Sequence, residues 1–414
     1  MIFNVCSDQV LSPVIPEITM TSGTRRLCLS IVACLAFLLL PFAGRAADPY
    51  DIYVIQSLTG AGQFIGNAQT AGFKALEAYV NSTNGIRGRP VHFVISDDQS
   101  SPQVAVQITN ELLAKHPPII MGASNTAACR AMFPLAKSGP VIYCLSPAVK
   151  PAPNSFEFSI DPDTPDMTSV GTRYFRLHGW TRIAELSTTD ATGQNFDQAI
   201  DGVLALPENK DVRLVAREHF NPADISAQAQ LARIRAANPQ VIILGTSGTP
   251  TGTAMRGISD LQINVPIATS NAAATYAMMS QYAPILPKDL YFFAVLNLAP
   301  EAITNKAVQS EIGIYSHWLS RAGVKPDGIP SNTWDAGSIV VSAFRKLGTA
   351  ATADQIRDYI ANLRGFPGAM GVYDFKTHPG RGVGEENVVI VRWDATRGTW
   401  VGVSRPGGIP LKGR

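Results

Sequence analysis

Three small polar residues, Ser124, Asn125 and Thr126, follow an apolar run that ends in Gly122. The run Ile119–Met121 is typical of a buried strand, and the residues after Thr126 have a helical pattern. A helix that begins directly after a strand presents free backbone N–H groups and a dipole that favours an anion. Because these side chains are small, a carboxylate could approach the amides and hydroxyl groups directly. Helix capping by Ser124 or Thr126 is the alternative that needs no ligand.

Similar short polar segments follow other predicted strands in both halves of the chain. Ligands of open parallel sheets bind beyond the carboxyl ends of the strands, where helices begin. We therefore predict that these strand ends converge on one cleft, and the repetition favours binding over capping alone. The segments are 145–148, 188–194, 245–248 and 269–271.

Enzymatic chemistry has weaker support in the sequence. The glycines at 60, 62 and 66 have G-x-G-x-x-x-G spacing, which does not fit a dinucleotide loop, and 122–126 lacks the closing glycine of a nucleophile elbow. None of the six histidines lies beside an obvious nucleophile, and none has metal-ligand spacing. Asp97 and Asp98 could bind a metal, but their surroundings favour a solvated loop. We expect no cofactor and no metal, and an exported enzyme remains an alternative.

The composition limits the class of partner. The chain has 414 residues, of which 46% are hydrophobic and 16% charged, with a formal net charge of +2. Nucleic acid and anionic membrane surfaces require a larger basic excess, so neither is expected as the main partner. The length is sufficient for two domains with buried cores.

Residues 1–46 are predicted to be a secretory signal peptide. Arg25 and Arg26 precede the apolar run 27–40, and small residues then lead to a cleavage site expected after Ala46. The residues before Met20 lack these features, so Met20 is a candidate start. A membrane anchor is the alternative, although the apolar run is short for a span. The mature protein is therefore expected to be exported.

Only two of the five cysteines, Cys129 and Cys144, lie beyond this segment. An oxidising compartment would permit them to form a disulfide. Cys129 is expected early in the helix after Thr126, and Cys144 near the end of the next strand. A disulfide and two buried free thiols both remain open.

Strands and helices alternate along the remaining chain, which indicates an α/β fold with parallel sheets. The rhythm breaks near residue 165 and then restarts, so we predict two halves joined by more than one crossover. Helices are predicted at 66–80 and 102–115, and a long helical region at 301–363 contains a capping box of Thr352 and Gln355. The predicted strands are 51–57, 91–96, 119–121, 141–145, 182–187, 212–217, 241–245, 265–269, 290–294, 372–375, 387–393 and 399–403.

Four segments of the chain carry a family resemblance: SLTGAGQFIG, NSTNGIRGRPVHFVISDDQSSPQVAV, IIMGASNTAA and VIYCLSPAV. They resemble the periplasmic binding proteins for leucine, isoleucine and valine, which are the solute receptors of ABC importers. The resemblance implies the type I fold, with two Rossmann-like lobes, a three-strand hinge and a ligand trapped by closure. Lobe 1 would contain 47–165 and 296–370, and lobe 2 would contain 166–295 and 371–414. It further implies a periplasmic monomer that delivers its ligand to a membrane permease.

The resemblance also implies binding residues. The ligand carboxylate would be held by Ser124, Asn125 and Thr126 and by the residues at Ala148 and Lys150. An aromatic side chain would line the pocket at Phe64. Lys150 stands where the amino-acid receptors usually have threonine, so it could pair with an anion or point into solvent.

Two departures from the family pattern concern the ligand. Thr192 stands where the amino-acid receptors have a tyrosine, and no acidic residue occurs from 269 to 281, around Asn271, to hold an ammonium group. Leaving one partner of a buried charge pair alone costs about 2–5 kcal/mol. Together with Phe64 and Thr246, these neutral residues predict a small organic carboxylate without an amino group, a class that includes aromatic acids. A branched-chain or other hydrophobic amino acid, or a sensor function on the same fold, remains an alternative.

Overall fold

The computed structural model describes residues 48–411, and the predicted signal peptide lies outside them. The first of two large sheets contains five parallel strands in the order β2-β1-β3-β4-β5. Its central strands β3 and β4 are fully buried, as expected for apolar strands covered on both faces. The strands are β1 (Tyr50–Gln56), β2 (Val91–Asp97), β3 (Ile119–Met121), β4 (Val141–Cys144) and β5 (Glu157–Ser159).

The second sheet contains seven strands in the order β14-β13-β10-β9-β8-β6-β7. Its first five strands in sequence are parallel, whereas β13 and β14 add antiparallel partners at one edge. The strands are β6 (Arg182–Thr188), β7 (Arg213–Phe220), β8 (Val241–Gly245), β9 (Ile267–Ser270), β10 (Leu290–Val295), β13 (Val388–Asp394) and β14 (Thr399–Gly402).

Eleven α-helices lie within the described residues and cover the faces of the two sheets. Helix α10 carries the largest fully buried side chain, Trp334, and packs against α1. The helices are α1 (Gln63–Ser82), α2 (Pro102–Leu113), α3 (Thr126–Met132), α4 (Thr164–Leu177), α5 (Ala191–Leu204), α6 (Gln228–Ala236), α7 (Thr249–Asp260), α8 (Tyr276–Gln281), α9 (Lys306–Arg321), α10 (Gly328–Leu347) and α11 (Ala353–Ala361).

Two short hairpins complete the fold, β11 (Arg364–Gly368) with β12 (Gly371–Asp374), and β15 (Ser404–Arg405) with β16 (Ile409–Pro410). The buried Asp335 carboxylate fixes the first hairpin, since it accepts hydrogen bonds from the N–H groups of Ala369 (2.7 Å) and Met370 (2.8 Å). Burial nevertheless raises the pKa of Asp335 to about 7, because those bonds offset only part of the desolvation.

The α/β fold with two lobes is confirmed. The chain first completes the five-stranded sheet and then builds the parallel part of the seven-stranded sheet. Helices α9–α11 return to the elements of the first sheet, and β13 and β14 then join the second sheet. The division of residues between lobes at 165, 295 and 370 stays a prediction. The long helical region resolves into three helices, and the Thr352–Gln355 capping box is present.

Among residues 48–411, no helix is both long and apolar enough to cross a membrane. The same part of the chain has no cluster of three or more His, Cys, Asp or Glu side chains arranged to hold a metal ion.

Candidate ligand-binding site

A cavity of about 280 Å³ lies at the carboxyl ends of both large sheets. Its wall is formed by loops and helical turns that follow each of the strands β1 to β9, together with the start of α10. A site at this position is expected for open parallel sheets. The polar or charged residues of the wall include Gln69, Ser124, Asn125, Thr126, Ser146, Asp161, Thr164, Asp190, Thr192, Ser247, Ser270 and Asn332.

The segment between β3 and α3 has a defined geometry. Asn125 is the N-cap of α3, and its side-chain oxygen accepts a hydrogen bond from Ala128 N (2.8 Å). Thr126 is the first residue of the helix, and its hydroxyl bonds that of Ser146 (3.0 Å). Helix capping is thus performed by Asn125, and not by Ser124 or Thr126. The N–H groups of the first turn have no acceptor within the helix, and Thr126 and Ala127 line the cavity.

The Ser124 hydroxyl is already engaged in the protein. It donates to the Gln69 side-chain oxygen (2.7 Å) and accepts from Ser57 N (3.1 Å). Gln69 is fully buried and donates in turn to Leu145 O (2.8 Å), at the end of β4. This network fixes the loops after β1, β3 and β4 relative to one another. Ser124 therefore holds the loop in place, and the backbone amides are the better donors for a ligand.

Several helix N-termini converge on this cavity. Residues of the first turn line it in α3 (Ala127), α4 (Thr164), α5 (Thr192) and α7 (Pro250), and Gly62 at the start of α1 does so as well. Each N-terminus carries a partial positive charge of about half an elementary charge. No lysine or arginine side chain is among the residues that line the cavity. Attraction for an anion must therefore come from amide dipoles, and chiefly from α3, because the carboxylates of Asp163 and Asp190 cap α4 and α5.

Two acidic residues, Asp161 and Asp190, also line the cavity. Asp190 caps α5, since its carboxylate accepts from Thr192 N and Gly193 N (3.1 Å each) and from the Thr188 hydroxyl (2.7 Å). Asp161 is 2% exposed and has a single side-chain partner, described below. Burial raises the pKa of Asp161 to about 7.

Arg381, in the segment after β12, supports the same wall from behind. Its buried guanidinium donates to the carbonyl oxygens of Ile160 (2.9 Å), Asp161 (3.2 Å) and Val149, and to the Ser159 hydroxyl (3.2 Å). Burial lowers its pKa from the usual arginine value. The arginine thus joins the loops after β4 and β5 through their backbone, and its charge is not paired directly with the Asp161 carboxylate.

The two lobes meet at the mouth of the cavity. Ala61, in the loop before α1, accepts a hydrogen bond through its carbonyl oxygen from Thr249 N (3.2 Å) at the start of α7. Gly248 approaches the same carbonyl so closely that a Cβ atom would lie 2.1 Å from it. Elements that follow β1 and β8, one from each sheet, are therefore in direct contact beside the cavity.

The chain from residue 49 to residue 399 matches the family model described as periplasmic binding protein. It belongs to this family. Membership accounts for the two-lobed fold and implies a periplasmic location, and the family is one of binding proteins rather than of enzymes. No curated protein sequence matches the chain.

Solved structures share the fold of this periplasmic binding protein. An extracellular ligand-binding receptor from Rhodopseudomonas palustris HaA2 has a TM-score of 0.76 and 17% identity, covering 86% of this chain and 100% of that one. The branched-chain amino acid transporter substrate binding protein LivJ from Streptococcus pneumoniae, in complex with isoleucine, has a TM-score of 0.71 and 15% identity. The match covers 85% of this chain and 97% of that one. An ABC transporter solute binding protein from R. palustris, in complex with benzoate, has a TM-score of 0.71 and 17% identity. The match covers 88% of this chain and 99% of that one.

Five of the nine residues expected to bind the ligand line the cavity of the binding protein. They are Ser124, Asn125, Thr126, Ala148 and Thr192.

The other four expected residues lie outside the lining. Phe64 packs against Tyr282 (ring centroids 6.3 Å apart), and Lys150 is exposed. The Thr246 hydroxyl bonds that of Thr251 (2.8 Å), and Asn271 is buried beneath α10. In each case a nearby residue lines the cavity: Ile65 beside Phe64, Ala148 near Lys150, Ser247 beside Thr246, and Ser270 and Ala272 on either side of Asn271.

Sequence reasoning missed Gln69, Asp161, Asn332 and Arg381. Asp161 follows β5, a three-residue strand too short to show a pattern, and it lies just before the break in the rhythm near residue 165. Gln69 and Asn332 lie inside helices whose apolar stripe conceals single polar positions. Polar residues on the buried face of a helix are the signal that could have indicated them.

Cys129 and Cys144 form a disulfide. It connects α3 to the end of β4, and both cysteines are fully buried. The bridge therefore joins α3, which carries Thr126, to the end of β4, directly before the loop that places Ser146 on the cavity wall.

Proposed function

We propose that this protein is the solute receptor of an ABC importer and that it captures a small organic carboxylate in the cavity between its lobes. The observation that supports the proposal best is the convergence of helix N-termini on a cavity whose lining lacks lysine and arginine. The amides of Thr126 and Ala127, at the start of α3, are the donors we assign to the carboxylate. Ala148, on the neighbouring loop, closes the wall beside them.

The magnitudes are adequate for such a receptor. A hydrogen bond to a charged group contributes about 1.5–3 kcal/mol, and a helix N-terminus about 0.3–2 kcal/mol. Two amide bonds and one helix dipole supply much of the ~8 kcal/mol that corresponds to micromolar affinity. Apolar contacts from Ile65, Phe196 and Ile329, which line the cavity, supply the remainder.

The ligand class is supported by two features. The cavity is slightly smaller than the ~300–1,000 Å³ of drug-sized pockets, which suits a small solute. Isoleucine and benzoate, bound by two proteins of the same fold, both carry a carboxylate. No acidic residue occurs from 269 to 281, around Asn271, but Asp161 reaches the cavity from another part of the chain and could pair with an ammonium group. The lining therefore accepts amino acids as well as other acids as candidates.

The remaining parts of the proposal follow from the receptor function. The protein would be exported by its signal peptide, act as a monomer without a cofactor and deliver its ligand to a membrane permease. Solute uptake measured in cells with and without the gene separates an import receptor from a sensor on the same fold. Incubation of the purified protein with a bound acid, followed by product analysis, separates both from an exported enzyme.

Thermal shift and calorimetry with a panel of acids test the ligand class. The panel contains benzoate, 4-hydroxybenzoate, 3-phenylpropanoate, L-phenylalanine and L-isoleucine, and the primary amide of each compound, which lacks the carboxylate, serves as the control. We expect at least one acid to raise the Tm while its amide does not. Stabilisation by none of the acids, or equally by an acid and its amide, would contradict the proposal.

A pair of variants tests the assigned amides. Thr126→Pro removes both the N–H and the hydroxyl, and proline is tolerated at the first helical position because Asn125 before it is extended. Thr126→Val removes only the hydroxyl and is the matched control. We expect Thr126→Pro to bind the acid at least tenfold more weakly than Thr126→Val. Equal affinities would show that the Thr126 amide does not hold the carboxylate.

A further inference from the structure

Asp161 and Asn332 form a buried polar pair on the cavity wall. Asp161 follows β5, and Asn332 lies in the second turn of α10, so the pair joins two elements far apart in sequence. The Asn332 side-chain amide donates to Asp161 Oδ2 over 3.4 Å, a long bond. The two residues are 2% and 1% exposed, and both line the cavity.

Each member of the pair has an acceptor atom without a partner. Asp161 Oδ1 and Asn332 Oδ1 are both shielded from solvent and make no hydrogen bond with any residue of the described segment 48–411. A buried polar atom left without a partner costs about 1–3 kcal/mol, and more if it is charged. Two such oxygens from neighbouring side chains are therefore unfavourable in the protein alone.

The neighbouring charged residues do not satisfy these oxygens. Arg381 donates to the backbone oxygen of Asp161, and not to its carboxylate. Asp190, the other acid on the wall, caps α5 through Oδ1 alone, and because the residue is exposed it is not a buried acceptor. The buried acceptors of the cavity wall that lack a partner thus belong to one pair of side chains, and they complement a donor on the ligand, whereas the amides at α3 complement an acceptor.

We infer that the ligand carries a hydrogen-bond donor besides its carboxylate, an ammonium or a hydroxyl group, and that Asp161 and Asn332 accept from it. This inference rests on the proposed function, because it assigns the second end of the same carboxylate ligand. A donor beside Asp161 would stabilise its ionised form, which burial alone disfavours. The receptor would then select acids with a polar substituent over their unsubstituted counterparts.

Matched pairs of acids test the inference on the unmodified protein. The pairs are L-phenylalanine with 3-phenylpropanoate, L-isoleucine with 3-methylpentanoate, and 4-hydroxybenzoate with benzoate. We expect the donor-bearing member of at least one pair to bind at least tenfold more tightly in calorimetry. If the unsubstituted acids bind equally or more tightly in every pair, the inference is wrong while the carboxylate site stands. If no acid binds, the proposed function itself fails.

Variants distinguish the two kinds of donor. Asp161→Asn keeps the shape and a neutral acceptor, and asparagine tolerates the positive φ of 57° at this position. It should weaken an amino acid at least tenfold and a hydroxy acid less than threefold. Asn332→Leu should weaken either donor-bearing acid and leave its unsubstituted counterpart unchanged.

Asp327→Asn is the control for these variants. Asp327 is 5% exposed, has an unpartnered Oδ1 and has its pKa raised by burial to about 7, but it lies outside the cavity lining. Its substitution should leave all affinities within twofold. Equal losses in Asp161→Asn and Asp327→Asn would indicate a general effect on the fold and would overturn the assignment.

Discussion

Substitution of Gly248 by alanine should prevent full closure of the cavity. Gly248 has φ 65°, and the added Cβ would lie 2.1 Å from the carbonyl oxygen of Ala61, whereas ordinary contact begins near 3.4 Å. The loops that meet there must separate by more than about 1 Å. This separation breaks the hydrogen bond from Thr249 N to Ala61 O, 3.2 Å long.

The expected loss of affinity follows from that bond. A net contribution of about 0.5–1.5 kcal/mol corresponds to a two- to twelvefold rise in Kd, and water entering the mouth increases it. The positive φ adds a separate cost of about 1–2 kcal/mol to folding, because an L-residue is strained there. The loss of affinity and the loss of folding stability can be measured separately, since the contact with Ala61 concerns only the protein with its cavity closed.

Gly179 provides the matched control. It has φ 74°, lies between α4 and β6, and its Cβ would meet nothing within 4 Å. Gly179→Ala should lower the free energy of unfolding by the same ~1–2 kcal/mol and leave the Kd unchanged. Urea denaturation and calorimetry, with the acid that binds the wild type most tightly, measure both quantities. If the Kd of Gly248→Ala stays within twofold of the Kd of Gly179→Ala, the closed contact is not used in binding.

Three further predictions concern the stability of the protein without added ligand. Burial raises the pKa of Asp161 from 3.8 to about 7, so the stability present below pH 3.8 is lost as the pH rises through 7. The free energy of unfolding of Asp161→Asn, relative to that of the wild type, should therefore increase from pH 4 to pH 8, by at most about 4 kcal/mol. An identical difference between the two proteins at both pH values in urea denaturation would refute this. Reduction of the Cys129–Cys144 bridge, which spans 15 residues, should cost about 3 kcal/mol, and a double alanine variant should not respond to dithiothreitol. Asp335→Ala leaves two buried N–H groups unpaired and should cost about 2–5 kcal/mol at pH 6; a smaller loss than 1 kcal/mol would contradict the anchoring of the β11–β12 hairpin.

The sequence predicts most of the fold because the hydrophobic periodicity of long elements is a local property. Strand β8 is found at the predicted residues 241–245, and the capping box at Thr352 fixes the start of α11. Strands β5 and β11 escaped prediction for physical reasons. The first has three residues, and the second contains glycine and proline, so neither shows alternation.

The binding site is predicted where it depends on strand ends, and less well where it depends on side-chain direction. The segment around Ser124 lines the cavity because the carboxyl end of a parallel strand has a fixed place. Whether Thr246 or Ser247 faces the cavity depends on a backbone turn that no pattern reveals. Asp161 and Asn332 meet across 171 residues of sequence, a pairing that only the tertiary fold creates.

A crystal structure of the protein with its tightest-binding acid tests the central claim most directly. We predict a carboxylate oxygen at about 2.7–3.2 Å from the backbone nitrogen of Thr126 or Ala127, within the cavity. A carboxylate turned toward Asp161, or a ligand bound outside this cavity, would contradict it.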